Sequence, residues 1–318
     1  MDTKNILPLS RFLLPVDDSE PCMRAVNFAG CLADGLGDRV EKITLLHVFG
    51  GGYFSEHMSN IDFRAAEIIE SSQFAIIKQQ YIDSTVRPML DSAEEVLRQT
   101  VPDIEVEQLA VDGTPADQIA KISDEGAFST IIIARSGHGK ISTILLGSVT
   151  SSLLHRPFHP SIYVVGERIM DGGACLLHKM LVPVDGSSSS MAAVDEAAEI
   201  AKSHGEDFKK IILLRIVDIG KYEDKLKEGV KPEEDAERIL LEAKKRLLKA
   251  GVQKKYIDIL AVRGTPADTI VKLAKEQDIT IVMMGRTGRS AVKEVLMGSV
   301  SNEVIHRCTE PTVAIICK

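Results

Sequence analysis

Short apolar runs alternate along the chain with longer stretches in which apolar residues recur every three or four positions. In the second half of the sequence these runs are MLVPVD, KIILLRIV, IDILAV, TIVMMG and TVAIIC. Runs of this length, rich in Ile and Val, predict β-strands that are buried on both faces. The stretch from Pro232 to Ala250 has helical periodicity instead. It starts with proline and is followed by Gly251, which is typical of helix boundaries.

The alternation of the two kinds of segment predicts the fold class. Strands that alternate with amphipathic helices form a parallel sheet with helices on both of its faces. Five apolar runs occur in the second half, and a matching series occurs in the first. The sequence therefore predicts an α/β protein with two tandem doubly wound, Rossmann-like domains, each built on a five-stranded parallel sheet.

The domain organisation follows from an internal repeat. RFLLPVDDSEPCMRAVNFA, from Arg11, aligns with KMLVPVDGSSSSMAAVDEA, from Lys179. Further along, VDGTPADQIAKI aligns with VRGTPADTIVKL, and LLGSVTSSLLHR with LMGSVSNEVIHR. The order of blocks is the same in both halves, which indicates duplication of a whole domain. We predict domains at residues 1–168 and 178–318, joined by a glycine-containing linker from Gly166 to His178.

Composition and charge narrow the classes of partner. The chain has 318 residues, 44% of them hydrophobic, and a net charge of −8, which argues against nucleic acid as a main partner. No apolar run reaches the ~18 residues that a membrane span needs, and the first residues lack the pattern of a signal peptide. Five cysteines without a Cys-x-x-Cys pair are typical of reduced thiols. We therefore expect a cytoplasmic protein without a membrane partner.

A pattern of glycines indicates a candidate ligand-binding site. The stretch GRTGRSAVKEVLMGS has glycines at Gly285, Gly288 and Gly298, followed by Ser299. Ligands of doubly wound sheets bind at the carboxyl ends of strands, where the strand order reverses, and TIVMMG ends at Gly285. A helix that starts at Gly298 and Ser299 would offer free backbone N–H groups and a favourable dipole to an anion. The pattern therefore predicts a ligand that carries phosphate.

The combination of VPVDGS, LLRIV, VRGTPAD and the spacing G-x2-G-x9-G-S resembles the universal stress protein family. The resemblance covers Arg11 to Val165 and Lys179 to Cys317 and implies ATP, with Mg²⁺ between its phosphates. For the second half it implies the nucleotide-binding residues Pro183, Val184, Asp185, Ile216, Met284, Gly285, Gly288, Gly298, Ser299, Val300 and Ser301. Among them Asp185 and the backbone of Ile216 would meet adenine, Gly285 would lie by the ribose, and the residues from Gly288 onward would hold the phosphates.

The first half departs from the family pattern at one position. It reads ARSGHGKISTILLGS, with Ala134 in place of the first glycine. Its other matching positions are Asp17, Val48, Gly137, Gly147, Ser148, Val149 and Thr150. A methyl group close to the ribose could clash or impose a backbone angle that alanine disfavours. We therefore expect ATP mainly in the second domain, with weaker or no binding in the first.

The resemblance also implies paired domains. Ser161–Val165 and Thr312–Cys317 could join edge to edge within the chain and so hide both edges. Further association of two chains into a homodimer is compatible with this arrangement.

The functional hypothesis is an ATP-binding stress-response or regulatory protein that acts as a nucleotide-dependent sensor or interaction module. Two alternatives stay open. One is a slow ATPase or adenine-nucleotide hydrolase on the same fold, although no nucleophile–base pair is evident in the sequence. The other is a nucleotide-free scaffold.

Three other motifs are weaker candidates for a functional site. The pair Asp17–Asp18 could belong to a phospho-acceptor site, but Ala134 and Gly285 stand where such a site needs Ser or Thr. His155 and His159 have zinc-ligand spacing, but Pro157 interrupts the helix that would align them. The run Gly50–Gly52 predicts a loop, because no Gly-Lys-Ser/Thr follows it.

Overall fold

The computed structural model describes residues 7–49, 72–137, 146–157, 159–171, 174–175, 177–288 and 297–317. The Gly50–Gly52 run lies outside these residues. The strands are β1 (Arg11–Pro15), β2 (Lys42–Phe49), β3 (Glu105–Asp112), β4 (Thr130–Ala134), β5 (Ser161–Val165), β6 (Met170–Asp171), β7 (Ala174–Cys175), β8 (Lys179–Pro183), β9 (Lys210–Asp218), β10 (Ile257–Gly264), β11 (Ile281–Gly285) and β12 (Thr312–Ile316). The α-helices are α1 (Glu20–Leu36), α2 (Ser72–Tyr81), α3 (Arg87–Thr100), α4 (Pro115–Glu125), α5 (Ser148–Leu154), α6 (Ser188–Ser203), α7 (Tyr222–Lys227), α8 (Pro232–Lys249), α9 (Pro266–Glu276) and α10 (Ser299–Arg307).

Ten of these twelve strands form one sheet in the order β10-β9-β8-β11-β12-β5-β4-β1-β2-β3, and β6 and β7 form a separate pair. Within each half, all neighbouring strands are parallel and follow the order 3-2-1-4-5. The predicted fold class of two five-stranded parallel α/β domains is confirmed. Strand order reverses between β1 and β4, and between β8 and β11, so each domain has one switch point.

The two halves of the sheet meet at β5 and β12, which are antiparallel. Ala314 lies opposite Tyr163 at the centre of this junction. Every residue of both strands is buried. The continuous apolar runs that predicted these strands thus correspond to the middle of the sheet, where both faces are covered.

Helices cover the two faces of the sheet in separate apolar layers. Along β1, Phe12 and Leu14 face the layer beneath α1, whereas Leu13 belongs to the layer on the opposite face. This alternation follows from the two-residue period of a strand. The α1 layer continues into the second domain through Val182 on β8 and Met283 on β11.

The helices that follow β1 and β8 begin at serine caps. The Ser19 side chain accepts a hydrogen bond from the Cys22 amide at 3.3 Å, and the Ser187 side chain accepts one from the Ser190 amide at 3.2 Å. Such caps satisfy N–H groups that have no partner within the helix. Helix α1 is followed by its C-cap residue Gly37, whose φ of 55° lies in the left-handed region that favours glycine. Among the helices that the structure describes, none combines the length and apolar character needed to cross a membrane.

A buried carboxyl group lies where the domains meet. Glu196 on α6 is 2% exposed and accepts hydrogen bonds from the Tyr163 hydroxyl at 2.7 Å and the Ser161 hydroxyl at 3.0 Å, both on β5. Burial, and then the neighbouring Glu196, raise the pKa of Tyr163 well above its usual value. The hydroxyl therefore keeps its proton and donates a hydrogen bond to Glu196 across the domain boundary.

The segment between the domains carries contacts of its own. Strands β6 and β7 pair as a small antiparallel hairpin. The Glu167 amide donates to the Thr309 carbonyl at 3.1 Å, and the Arg168 amide donates to the Glu310 carbonyl at 3.0 Å. The start of the expected linker is therefore held against the chain just before β12.

Substitution of Tyr163 by Phe should lower the free energy of unfolding by ~2 kcal/mol, because Glu196 loses a buried hydrogen-bond donor. Urea denaturation measures the change. Tyr256→Phe, at a partly exposed position beside Phe208, is the matched control and should shift stability by less than ~0.5 kcal/mol. Equal effects of the two variants would contradict this role of the buried pair.

Candidate functional site

A cavity of about 380 Å³ opens in the first domain at the carboxyl ends of β1, β2 and β4. This is the switch point of the domain, where a doubly wound sheet is expected to bind its ligand. All seven residues that the sequence marks in this domain line the cavity, namely Asp17, Val48, Gly137, Gly147, Ser148, Val149 and Thr150. The cavity thus brings together residues that are up to 133 positions apart in the sequence, from Asp17 to Thr150.

Sequence reasoning missed several lining residues. Pro115 and Ile119 come from α4, and Leu46 and Ile133 from β2 and β4. Together with Val149 they give the cavity a largely apolar wall. The repeated GTPAD block was the signal for Pro115 and Ile119, because it places α4 directly after the β3 edge of the site in both halves.

In both domains the aspartate after the first strand is held by the same pair of hydrogen bonds. Oδ1 of Asp17 accepts hydrogen bonds from the Ser19 amide, at 3.1 Å, and from the Ser19 hydroxyl. Oδ1 of Asp185 accepts from the Ser187 amide at 2.9 Å and from its hydroxyl at 2.6 Å. The N-cap serine of the following helix thus fixes the orientation of each carboxylate, which explains why Asp-x-Ser occurs at both positions.

The second glycine of the motif lies against this carboxylate. A Cβ atom at Gly288 would come within 2.7 Å of Oδ2 of Asp185, and a Cβ at Gly137 would collide with Oδ2 of Asp17. Each of these two carbon–oxygen separations would be shorter than a normal van der Waals contact. A side chain at this position would therefore displace the aspartate carboxylate from the orientation that the N-cap serine gives it.

The third glycine joins the final helix of the motif to the end of the strand before it. The Gly147 amide donates to the Arg135 carbonyl at 2.8 Å, and the Gly298 amide donates to the Arg286 carbonyl at 2.9 Å. A Cβ at Gly147 would lie 3.2 Å from the Cα of Ser136. With φ of −60° and −67°, the two glycines are not left-handed. Close approach of two backbone segments, rather than a left-handed backbone, is what disfavours a side chain here.

Two hydroxyl groups of the motif have hydrogen-bond partners on the preceding strand. Thr150 donates its hydroxyl proton to the Ala134 carbonyl at 2.9 Å, and Ser301 donates its proton to the Gly285 carbonyl at 2.9 Å. Both side chains are buried, at 3% and 4% exposure. Because each hydroxyl has a single proton, these groups bind the helix to the strand rather than donate to a phosphate. The backbone amides at the helix starts remain the available donors.

The structure shows why the first position of the motif is glycine in the second domain, which the sequence did not reveal. A Cβ at Gly285 would lie 2.6 Å from backbone atoms of Ser189 and Ser190, at the start of α6. In the first domain the matching Ala134 is 8% exposed, belongs to the apolar layer beneath α1 and also lines the cavity. The expected effect of its methyl group on a ligand, and with it the ranking of the two domains, stays a prediction.

The predicted residues of the second domain occupy the equivalent strand ends. Pro183 ends β8, Ile216 lies near the end of β9, and Met284 and Gly285 end β11. Ile216, Met284 and Val300 belong to one apolar cluster. The Val184 amide donates to the Leu214 carbonyl at 2.8 Å, as the Val16 amide does to Leu46 in the first domain. Residues 289–296, between Gly288 and Gly298, lie outside the described residues.

Other candidate residues have structural partners. Nδ1 of His155 lies 2.8 Å from the Ser151 carbonyl, and Nδ1 of His306 lies 2.7 Å from the Asn302 carbonyl. The described part of the chain contains no group of three or more His, Cys, Asp or Glu side chains arranged to hold a metal ion. Burial raises the pKa of the Cys22 thiol, which lines the cavity, to about 12. This thiol is therefore protonated near neutral pH and is a poor nucleophile.

Substitution of Gly285 by Ala should lower the stability of the second domain by ~1–3 kcal/mol, because the new methyl group meets the backbone of α6 rather than a movable side chain. The reverse exchange in the first domain, Ala134→Gly, is the matched control and should cost only ~0.5–1 kcal/mol. Urea denaturation compares the two. A Gly285→Ala protein as stable as the wild type would rule out the proposed contact with α6.

Comparison with known proteins gives the family. The model of the universal stress protein family matches residues 8–164 and 177–315. Universal stress protein YxiE of Bacillus subtilis is 30% identical over 158 residues, which cover 44% of this chain and 99% of that protein. The crystal structure of a universal stress protein from Archaeoglobus fulgidus is 22% identical, covers 98% of this chain and 99% of its own, and has a TM-score of 0.64, which shows the same fold.

A further solved structure, of a universal stress protein in complex with cAMP, is 30% identical over 44% of this chain and 96% of that protein, with a TM-score of 0.34. The family model accounts for both repeats and for nearly all of the strands that build the two switch points. The chain belongs to the universal stress protein family and contains two family domains in tandem.

Proposed function

We propose that this protein is an ATP-binding regulatory protein of the stress response, in which the bound nucleotide sets a state that a protein partner or self-association recognises. One observation carries the proposal: all seven residues marked in the first domain line a single cavity of about 380 Å³ at the switch point. This volume lies within the range of small-molecule sites, which is roughly 300–1,000 Å³.

The adenine half of the site would use apolar walls and backbone groups. Strand β1 ends at Pro15, which pairs with Leu46, two residues before Val48. Val48 therefore lies beyond the end of β1. Its main-chain groups on the β1 side are available to form hydrogen bonds with the edge of a purine. Ile216 has the same relation to β8, which ends at Pro183 opposite Leu214. Leu46 and Ile133 would contact the faces of the base.

The phosphate half would use backbone amides. In the first domain the amides of Ser148 and Val149 belong to the first turn of α5 and have no acceptor within that helix. Gly137 and Gly147 keep side chains out of the space next to them. In the second domain Ser299 and Val300 have the equivalent positions on α10. Mg²⁺ would be held chiefly by the phosphate oxygens, since the described side chains form no acidic cluster for it.

We propose that the two domains act as a pseudo-dimer within one chain. The antiparallel pairing of β5 with β12 and the bonds from β5 to Glu196 support this. The ion pair between Arg39 and Glu199, with a 2.7 Å separation, adds a contact between α6 and the turn after α1. A cytoplasmic location is part of the proposal. Cys22, Cys31, Cys308 and Cys317 are all free thiols, as is typical of a reducing compartment.

Titration with Mg²⁺–ATP tests the proposed sites. Gly298→Asp should abolish ATP binding in the second domain, because a carboxylate at the start of α10 repels the phosphates and its Cβ atom would crowd the Arg286 carbonyl oxygen, 3.3 Å away. Gly147→Asp should do the same in the first domain, and the double variant should bind no ATP. Isothermal titration calorimetry reports the affinity and the number of sites for each protein.

The matched control is Lys231→Asp, which introduces a carboxylate at the N-cap of α8, a helix start that the proposed sites do not use. Its ATP binding should equal that of the wild type. If the double glycine variant binds ATP as the wild type does, the sites are assigned wrongly. A wild-type protein that binds no Mg²⁺–ATP would contradict the proposed function itself and leave the scaffold hypothesis.

A further inference from the structure

We propose that Arg135 and Arg286 are positioning residues that couple the two nucleotide sites, each holding the helix that belongs to the site of the other domain. The inference rests on the proposed function and adds a form of regulation to it: occupation of one site by ATP strengthens binding at the other. Its basis is a reciprocal pair of contacts across the domain boundary.

Arg135 directly follows β4 in the first domain and is 5% exposed. Its Nη2 donates to the carbonyls of Ile305 and His306, the latter at 3.0 Å. Both carbonyls lie in the last turn of α10, which belongs to the second domain. Carbonyls at a helix end have no partner within the helix, and a cation there also matches the helix dipole. Arg135 thus supplies the C-terminal cap of a helix in the other domain.

Arg286 makes the equivalent contact in the opposite direction. It follows β11 in the second domain and is 9% exposed. Its Nη2 donates to the Leu154 carbonyl at 3.3 Å and to the Arg156 carbonyl. Leu154 is the last residue of α5, in the first domain. The two arginines are thus related by the same pseudo-twofold arrangement that pairs β5 with β12.

Each arginine is also part of the nucleotide site of its own domain. The Arg135 carbonyl accepts the Gly147 amide at 2.8 Å, and the next two residues, Ser136 and Gly137, line the cavity. The Arg286 carbonyl accepts the Gly298 amide at 2.9 Å. A single residue therefore contacts the local site through its backbone and the distant helix through its side chain.

Helix α10 links the two sites physically. Its first residues, Ser299 and Val300, are the proposed phosphate donors of the second domain, and its last turn is held by Arg135. The nine residues of this helix span about 13 Å. A ligand that fixes the loop at Ser136 and Gly137 also fixes the backbone of Arg135, and through its guanidinium the orientation of α10. Burial makes this guanidinium costly to displace, and desolvation lowers its pKa.

The coupling must be reciprocal, because a change in affinity at one site caused by a ligand at the other acts equally in both directions. Filling the first site should raise the ATP affinity of the second by about fivefold, at the lower end of known coupling factors. The same factor should hold for the first site when the second is filled.

The experiment compares ATP binding to the two sites of one chain with and without the arginine contacts. Calorimetry of the wild-type chain with Mg²⁺–ATP should show that filling one site strengthens binding at the other about fivefold. Arg135→Gln and Arg286→Gln should each remove this cooperativity. Arg135→Lys, which keeps the charge and one group of donors, should restore part of it. The Gly147→Asp and Gly298→Asp proteins, in which only one site can fill, give the affinity of each site alone.

Arg39→Gln is the matched control, because Arg39 also forms an ion pair across the domain boundary, with Glu199, but contacts neither α5 nor α10. It should leave the cooperativity between the two sites unchanged. Circular dichroism confirms that each variant is folded. The Lys variants provide the comparison if a Gln variant is not folded.

The outcomes separate the two proposals. Loss of cooperativity with Arg135→Gln or Arg286→Gln, but not with Arg39→Gln, supports the coupling. A wild-type chain that binds two ATP molecules without cooperativity, or unchanged cooperativity in both arginine variants, overturns it while ATP binding itself stands. A wild-type chain that fails to bind Mg²⁺–ATP overturns the proposed function and the coupling together.

Discussion

A backbone hydrogen bond at the end of the fourth strand of each domain determines much of this structure. The Gly147 amide bonds to the Arg135 carbonyl, and the Gly298 amide bonds to the Arg286 carbonyl. For this bond to form, the start of a helix must lie directly on the strand end. A Cβ atom at the glycine would crowd the backbone there, at 3.2 Å from the Ser136 Cα in the first domain and 3.3 Å from the Arg286 carbonyl oxygen in the second. The same contact positions the first turn of α5 or α10 at the switch point and directs the arginine side chain towards the other domain.

The two domains are built on one plan but are not equivalent. Phe28 occupies in the first domain the position of Glu196 in the second, and Tyr163 lies opposite Ala314 in the central strand pair. The result is one buried carboxyl group, from the second domain, bonded to hydroxyls of the first. A chain with two different domains can place this polar contact once, whereas a pair of identical chains would carry it twice.

Much of the fold could be predicted from the sequence, because the strands are continuous apolar runs and occur twice in the same order. The glycine pattern also indicated the carboxyl ends of the strands, where the cavity of the first domain lies. Three features could not be predicted. The reason for Gly285 depends on how closely α6 approaches β11, and the role of the Thr150 and Ser301 hydroxyls depends on carbonyls 16 residues earlier in the chain. Arg135 and Arg286 look like exposed loop charges in the sequence, and only the arrangement of the two domains buries them.

The central proposal is that the two switch points of this chain bind ATP, the second domain more tightly than the first. Equilibrium dialysis of the wild-type protein against saturating Mg²⁺–ATP, with the bound nucleotide counted per chain, tests this most directly. The account predicts two ATP molecules per chain, since each domain presents the same aspartate, glycine and helix-start arrangement. One molecule per chain would contradict the two-site claim, and none would contradict nucleotide binding altogether.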